Sequence, residues 1–531
     1  MRKCVLMTVA ASATLLLAGC GNGQKEDKDV TVSLPTEAKA DKLDAQGYDA
    51  AMPVYSAVYD ALVKYDKDKG IKAGLADKWS VDESGKVYEF HLKKNVKFSD
   101  GSALDAKDVK FSIDRAKAMN KDSTVETLKK LDKVVVKNEH VVQIRLKSPS
   151  NQVLNELTQV RPLRIMSPHS VEDGKVNGKF EKAIGTGAFV VDKTGKEKTT
   201  MKPNKYFDNG HPVNYHLAFQ TIEDGDSRNS AVQSGSVDIS GGALGMLSDE
   251  QIKQDKKNKN LTIEDRPSTV SHFMAFNPKN DVLNQRTIRE AISKSIDAKD
   301  IAGKSVNGLF QKNVQFVTKN NQQPHDYDMK AAERLLKSEG YHKNDDGIFE
   351  KNGKPLSFNL VIQTAEFPNW KDKAEKVQRQ LKQAGIKLNV KTLDSQSYYD
   401  TLWTKKDYDL IFYRTYSDAL MPYNFISSVF KNNDGQPGVL ADDETLTKQL
   451  DDFPSTVSKE DQQCSFDDIF KHFNQQYYGV PIAYPNETFV VSDKVKQFKF
   501  SGLTDAPIDY KALKVNAVSY THLTLPTILL V

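Results

Sequence analysis

The chain has 531 residues, of which 38% are hydrophobic and 27% charged, and its formal net charge is +4. This is the composition of an ordinary globular protein, and so small a charge does not indicate binding to nucleic acid. The only cysteines are Cys4, Cys20 and Cys464, which excludes a disulfide framework and a cysteine metal cluster.

The N-terminal segment has the form of a bacterial lipoprotein signal. A short basic region precedes the apolar stretch Val5 to Ala18, which is too short to span a bilayer. The stretch runs into the sequence Leu-Ala-Gly-Cys20, which resembles a lipobox, where the cysteine is acylated and the signal is cleaved. We therefore predict a signal peptide at 1–19, lipidation of Cys20 and a polar tether at 20–29. The alternative is an ordinary secretory signal that happens to contain a cysteine.

Processing at this site would leave one cysteine in the mature chain. Cys4 is lost with the signal and Cys20 is acylated, so only Cys464 remains, and we expect it to be a buried thiol. Acyl chains on Cys20 would hold the protein on the extracellular face of the plasma membrane.

Strand and helix patterns alternate through the body of the chain, as in α/β proteins. The segments 87–92 and 141–146 alternate apolar and polar residues, which indicates half-buried strands. A helix is predicted from Ala331 to Ser338, with Gly340 at its C-cap. Roughly 500 residues are too many for one hydrophobic core, so two or three domains are expected.

A strand–helix–strand unit is predicted further along the chain. Strand candidate 358–362 precedes apolar residues spaced as one face of a helix, which ends at Gly385. The segments 386–390 and 408–412 are two further strand candidates. A unit of this order suggests a parallel sheet.

The sequence lacks the motifs that would indicate catalysis. It contains neither a His-Glu-x-x-His zinc helix nor a Gly-x-Ser-x-Gly nucleophile elbow. Gly185-Thr186-Gly187 begins like a dinucleotide-binding loop, but Val190 stands where the third glycine belongs. The ten histidines include no pair at the spacing of helical metal ligands. We therefore predict a protein that is not an enzyme and has no cofactor.

The C-terminal segment 518–531 differs from everything before it. It contains no acidic or basic side chain except His522, directly after a region dense in charge. It resembles a translated sequencing adapter, so we exclude it from the fold prediction as one would a fusion scar. The alternative is a genuine apolar tail.

Several motifs occur in the order in which they are found in one family of transport proteins. The matching segments are 74–79, 85–92, 96–101, 184–187, 232–238, 276–277 and 286–292. On these residues the chain resembles, from about 30 to 517, the peptide/nickel substrate-binding proteins of ABC importers, also called extracellular solute-binding proteins of family 5.

The resemblance implies an α/β, two-lobed periplasmic-binding-protein-like fold of type II with an extra inserted subdomain. It places lobe one at 30–50, 184–264 and 484–517, the insert at 51–183, and lobe two at 265–483. A small ligand would bind between the lobes, which close by a hinge. The closed form, expected to be a monomer, would dock on the permease of an importer driven by ATPase subunits.

Two segments resemble the nickel- and metallophore-binding branch of this family. The segment 160–168 is similar to its Arg-Pro segment, and 412–416 is similar to an Arg-Thr-Trp segment on the opposite lobe. This resemblance implies that Arg161 and Arg414 anchor a chelator carboxylate and that Tyr416 forms an aromatic wall. A guanidinium fork suits that task because it binds a carboxylate through two parallel hydrogen bonds. Arg164 has two open roles, an ion pair within the fold or a ligand contact.

The chain departs from this branch in ways that bear on the metal. Tyr416 replaces the cleft tryptophan, and the loop 431–437 has no histidine where some nickel binders supply a metal ligand. Direct coordination of nickel by the protein is therefore in doubt, and the metal ligands are left unknown. His272 either reaches the cleft or faces its own lobe. Two ligand classes remain open: a nickel or similar metal chelate, and a short peptide.

The lipobox-like sequence generates the first prediction. Replacing Cys20 by Ala should prevent acylation and release the protein into the medium or leave it unprocessed. Metabolic labelling with a radioactive fatty acid should mark the wild type and the control variant Cys464→Ala, but not Cys20→Ala. An unlabelled wild type would show that the segment is an ordinary secretory signal.

Overall fold

The structure is a computed structural model that describes residues 29–66, 70–322, 326–415, 419–433 and 435–516. The predicted signal peptide, the lipidation site Cys20, the cleft residue Tyr416 and the segment 518–531 lie outside these residues. The described chain forms two α/β lobes, each built on its own sheet, together with a third unit built on a smaller sheet. No helix within the described ranges is both long enough and apolar enough to cross a bilayer.

The first lobe contains a mixed sheet of seven strands. In spatial order they are Leu261–Pro267, Asn486–Ser492, Ile239–Gly241, Asp29–Leu34, His216–Thr221, Lys198–Pro203 and Phe189–Lys193. The central strand Asp29–Leu34 runs parallel to both of its neighbours, and the outer pairs are antiparallel.

The second lobe contains a five-stranded sheet, and the third unit a four-stranded antiparallel sheet. The five strands are, in order, Lys387–Leu393, Ser357–Gln363, Leu410–Arg414, His272–Phe276 and Gly479–Ala483. The four are Ala76–Val81, Val87–Leu92, Val141–Leu146 and Leu131–Asn138. Short strands complete the fold at Val63–Asp66, Gly70–Ala73, His342–Lys343, Phe349–Lys351, Lys354–Pro355, Val495–Gln497 and Lys514–Val515.

The helices cover the sheets and connect their strands. The α-helices are Met52–Val58, Ala106–Met119, Glu126–Lys130, Val153–Leu157, Gly225–Gln233, Asp249–Asp255, Arg286–Lys294, Ala298–Ala302, Met329–Ser338, Trp370–Gln383, Ser395–Asp400, Pro422–Phe430, Glu444–Asp452 and Lys459–Gln475. Short 3-10 turns lie at Ala40–Lys42, Pro168–Ser170, Glu172–Gly174, Phe207–Gly210 and Phe453–Ser455, and a π-helical turn at Thr401–Lys405.

The local predictions from the sequence are confirmed where a strong pattern supported them. The strands Val87–Leu92 and Val141–Leu146 have the predicted bounds, and they pair with each other. The strand Ser357–Gln363 is parallel to both predicted partners, as the strand–helix–strand pattern required. The helix Trp370–Gln383 ends before Gly385, whose φ of +80° and close approach to another backbone leave no room for a side chain.

One expectation about cysteine is wrong. Cys464 is exposed, not buried. It lies on the helix Lys459–Gln475, whose buried side chains are Phe466, Ile469, Phe470 and Phe473. Position 464 falls outside that apolar face, and a cysteine alone carries no pattern that would have revealed which face it occupies.

Three large hydrophobic cores accompany the three sheets. The core of the first lobe includes Tyr55, Phe111 and Met166, which belong to the predicted insert 51–183. The insert is therefore packed onto the first lobe, and the proposed boundaries between the two stay a prediction.

The chain passes between the two lobes twice. The strand Leu261–Pro267 of the first lobe leads into His272–Phe276 of the second, and Gly479–Ala483 leads back into Asn486–Ser492. The crossovers lie side by side, since both pairs of strands are antiparallel neighbours. Two short connections that lie side by side permit a hinge motion.

The third unit contacts the second lobe through the carboxylate of Glu156. This carboxylate accepts hydrogen bonds from the backbone N–H groups of Glu126 and Thr127, each at 2.8 Å, and from the Thr127 hydroxyl at 2.6 Å. Across the interface, the amide nitrogen of Asn424 in the second lobe donates to it at 2.8 Å. Burial raises the pKa of Glu156 to about 7, although the hydrogen bonds from Thr127 and Asn424 lower it.

This raised pKa predicts a pH-dependent contribution to stability. Because the carboxyl binds a proton more tightly in the folded than in the unfolded chain, its contribution is fully present below pH 4.5 and is lost as the pH rises through about 7. Glu156→Gln removes the titration. Between pH 4.5 and 8, the unfolding free energy of the wild type should fall relative to that of the variant by on the order of 1–3 kcal/mol.

Chemical denaturation at a series of pH values measures this difference. The matched control is Glu172→Gln, which changes an exposed glutamate and should leave the pH profile of the wild type intact. Identical pH profiles for the wild type and Glu156→Gln would contradict the assignment.

Candidate functional site

A cavity of about 640 Å³ lies between the lobes, at the ends of several strands. On the first lobe, its lining includes Leu34, the last residue of the strand Asp29–Leu34. On the second lobe it includes Glu366, Asp394 and Arg414, which lie at or just beyond the carboxyl ends of three mutually parallel strands. Ligands of α/β proteins bind in crevices at this end of parallel strands, so we call this cavity the cleft.

Arg161 reaches the cleft from the first-lobe side. Its Nη1 donates hydrogen bonds to the carbonyl oxygens of Tyr48 at 2.6 Å and Ala50 at 3.1 Å. The guanidinium carbon lies 5.0 Å from the ring centre of Tyr48 and 5.8 Å from that of Tyr55. These contacts fix the guanidinium against two aromatic rings while it stays only partly buried.

Arg164, three residues further on, has a structural role. Its side chain is buried, and it donates to the carbonyl oxygens of Gln159 at 2.7 Å and Tyr59 at 3.0 Å. It does not line the cleft. The sequence left open whether Arg164 forms an ion pair within the fold or contacts the ligand. The geometry favours a role within the fold, in which the guanidinium binds backbone carbonyl oxygens.

Arg414 reaches the cleft from the second lobe, as the last residue of the strand Leu410–Arg414. Only 6% of its surface is exposed. Burial acts to lower the pKa of this guanidinium, but the neighbouring Tyr399 and Asp505, followed by Tyr413 and Glu366, raise it above its ordinary value. Arg414 is therefore held charged beside the cleft despite its burial.

Two buried acids accompany the arginines. Glu366 accepts hydrogen bonds from the hydroxyls of Ser395 at 3.0 Å and Tyr399 at 2.8 Å. Burial raises the pKa of Asp505, and the positive charges of Arg414 and Arg161 counteract that rise. Asp505 thus lies within electrostatic reach of both arginines, which belong to opposite sides of the cleft.

The charges around the cleft are mixed. The acidic lining residues are Glu37, Asp49, Glu223, Glu366 and Asp394, and the basic ones are Lys39, Arg161 and Arg414. Such a lining suits a ligand that carries both carboxylates and positive charge.

Two aromatic side chains of the lining stay exposed. Tyr48 is 48% and Trp403 40% exposed, among the largest values for big apolar side chains in the described ranges. Neither residue was predicted from the sequence, and neither were Glu366 and Asp505, because none of the four lies in a recognisable motif. The one available signal was Trp403 itself, since the chain has only three tryptophans.

His272 lies apart from the cleft. Its Nδ1 accepts a hydrogen bond from Nε1 of Trp370 at 3.0 Å, and the rings of Phe367 and Trp370 pack against it. Burial, followed by the charges of Lys373 and Arg414, lowers the pKa of His272 to about 3, so the imidazole is neutral. It lines a different cavity. The structure therefore brings Arg161 and Arg414 together, but not His272, and Tyr416 lies outside the described residues.

Within the ranges that the structure describes, no three His, Cys, Asp or Glu side chains are grouped so that they could hold a metal ion. The chemistry that the described cleft offers is thus recognition by guanidinium, carboxylate and aromatic groups.

Sequence comparison places these features in a known context. The profile of the bacterial extracellular solute-binding proteins, family 5, matches residues 70–437. The nickel-binding periplasmic protein of Escherichia coli K12 is 24% identical over 86% of this chain and 89% of its own length. The oligopeptide-binding protein AppA of Bacillus subtilis 168 is 23% identical over 85% of both chains.

Solved structures agree on the fold. NikA from Brucella suis, in complex with Fe(III)-EDTA, superposes with a TM-score of 0.82 at 23% identity, covering 92% of this chain and all of that one. AppA from Bacillus subtilis, in complex with a nonapeptide, gives 0.78 at 20% identity over 92% of this chain and 99% of its own. The match over most of the chain, the two-lobed fold and the cleft establish that this protein belongs to the bacterial extracellular solute-binding proteins of family 5, the non-enzymatic substrate-binding components of ABC importers.

Proposed function

We propose that the cleft captures a chelate of nickel or a similar transition metal through the carboxylates of the chelator and delivers it to the importer's permease. The observation that carries this proposal is that Arg161 and Arg414 line one cavity from opposite lobes. The coordination shell is supplied by the chelator, and the protein binds the outside of the complex.

The two arginines differ in a way that suits this task. Arg414 is a buried guanidinium whose charge is favoured by the neighbouring Asp505 and Glu366. Arg161 is only partly buried, lines the cleft, and donates from Nη1 to two backbone carbonyl oxygens of the fold. Charge-assisted hydrogen bonds to carboxylate are the strong ones among such contacts.

The aromatic rings supply the rest of the surface. Tyr48 and Trp403 are large, exposed and part of the lining. Their faces can pack on the flat rings of a chelate, in the role that the sequence had assigned to Tyr416. A cavity of about 640 Å³ is within the range of small-ligand sites.

The second candidate is a short peptide. The acids Glu37, Asp49, Glu223 and Asp394 line the cleft and can pair with a peptide's amino terminus, while an arginine pairs with its carboxylate. The similarity to an oligopeptide-binding protein supports this alternative. The two candidates share the carboxylate contact and differ in whether a metal is required.

The site of action completes the proposal. Acyl chains on Cys20 would keep the protein at the extracellular face of the plasma membrane, where it works as a monomer with the permease and ATPase subunits. Family 5 proteins act with such partners, whereas the lipid anchor and the oligomeric state are part of what we propose.

Substitution of Arg161 tests the carboxylate contact. A charge-assisted bidentate pair contributes roughly 1.5–3 kcal/mol, so Arg161→Ala should weaken binding of a nickel–histidine chelate about tenfold to a hundredfold. Arg161→Lys should restore only part of the affinity, because an ammonium cannot form the fork. Calorimetric titration of purified protein measures both.

The matched control is Arg334→Ala, which removes an arginine whose side chain is 70% exposed and lies outside the cleft. It should leave the affinity unchanged. Tight binding of metal-free peptides with no response to nickel chelates would instead establish the peptide candidate.

A further inference from the structure

A second cavity, of about 420 Å³, is lined by residues of both lobes and of the crossover strands. Side chains of a strand alternate between its two faces. On the returning crossover, Asn486 and Thr488 line this second cavity. Glu487, between them, points to the other face, where it accepts a hydrogen bond from Arg266. The charge of Asp505 acts on Glu487, and the charges of Arg414 and Arg161 in turn act on Asp505. The second cavity therefore lies behind the hinge, and we call it the rear cavity.

Four lysines from both lobes line the rear cavity. Lys253 and Lys256 come from the end of a first-lobe helix, and Lys304 and Lys373 from the second lobe. Within the described residues, the ammonium group of none of the four makes an ion pair or a hydrogen bond. This is a concentration of unpaired positive charge at a concave site.

The acids of the rear cavity are already engaged. Asp249 of the first lobe accepts a hydrogen bond from the side chain of Asn369 of the second lobe at 3.2 Å, and this hydrogen bond links the two lobes. Asp265 accepts from the side chains of Asn486, at 2.8 Å, and Thr488. The rear cavity is lined by two carboxylates and four ammonium groups, so its lining carries a net positive charge.

Lys373 is the most deeply placed of the four. Burial lowers the pKa of its ammonium group, although Asp249 and Asp372 counteract that effect. An ammonium in such surroundings gains from any anion that reaches it, because its own solvation is reduced.

His272 adds a hydrogen-bond donor at the wall of the rear cavity. It is 2% exposed, and its Nδ1 is occupied as acceptor by the indole N–H of Trp370, so the proton of the neutral ring is on Nε2. That Nε2 has no hydrogen-bond partner within the described residues. His272 as a residue lines the rear cavity, and a buried N–H without an acceptor gains from an oxygen that reaches it.

We propose that the rear cavity is a second binding site, distinct from the cleft, for a small multivalent oxyanion of the phosphate class. Lys253 and Lys256 hold the anion from the first lobe, Lys373 holds it from the second, and Nε2 of His272 donates to one of its oxygens. Because these groups belong to different lobes, the bound anion bridges the hinge from behind.

Titration with inorganic pyrophosphate in metal-free buffer at constant ionic strength tests the site. The wild type should bind one equivalent saturably. Lys253→Gln/Lys256→Gln, which changes two exposed side chains and should fold normally, should weaken binding at least about tenfold. The matched control, Lys257→Gln/Lys259→Gln, removes the same charge from the neighbouring exposed positions and should bind like the wild type.

A second readout reports on the histidine directly. The imidazole Nε2–H resonance of His272, assigned by its loss in His272→Gln, should shift on addition of pyrophosphate in step with the calorimetric saturation. Equal weakening in both lysine double variants would mean general attraction by charge and would overturn the proposal. So would an unchanged imidazole resonance at saturation, or binding that does not saturate.

Discussion

The charge of Arg414 is the constraint on which the site depends. A guanidinium that is 6% exposed is costly to bury unless acids and hydroxyls surround it. Glu366, Tyr399 and Asp505 supply that surrounding, and they come from three separate parts of the chain. The neighbours that favour the charge of Arg414 therefore come from the loop that contains Glu366, the helix Ser395–Asp400 and the segment around Asp505.

The same arrangement connects recognition with the relation between the lobes. Burial raises the pKa of Asp505 and the charges of Arg414 and Arg161 both lower it, so this carboxyl interacts electrostatically with both sides of the cleft. The crossovers permit movement, while the partly buried hydrogen bond between Asn424 of the second lobe and Glu156 of the third unit forms a contact away from the crossovers. In the proposed function, a ligand carboxylate held between the two arginines would add a further connection between the lobes, which is how a ligand can favour closure of a hinged protein.

Local patterns predicted much of the fold, and a family resemblance predicted the arginines. Strands such as Val87–Leu92 could be recognised because one face is buried and the other is not. The strand His272–Phe276 is buried on both faces, so no alternation could show which way His272 points. Glu366 and Asp505 could not be predicted either, since tertiary contacts between distant segments determine their burial and their partners.

The central claim is that the protein recognises a carboxylate held across the cleft, and changing the ligand tests it most directly. Calorimetric titration can compare nickel–histidine with nickel–histidinamide, in which an uncharged amide replaces the carboxylate. Loss of a charge-assisted contact should weaken binding of the amide complex at least about tenfold. Equal affinities for the two complexes would contradict the account.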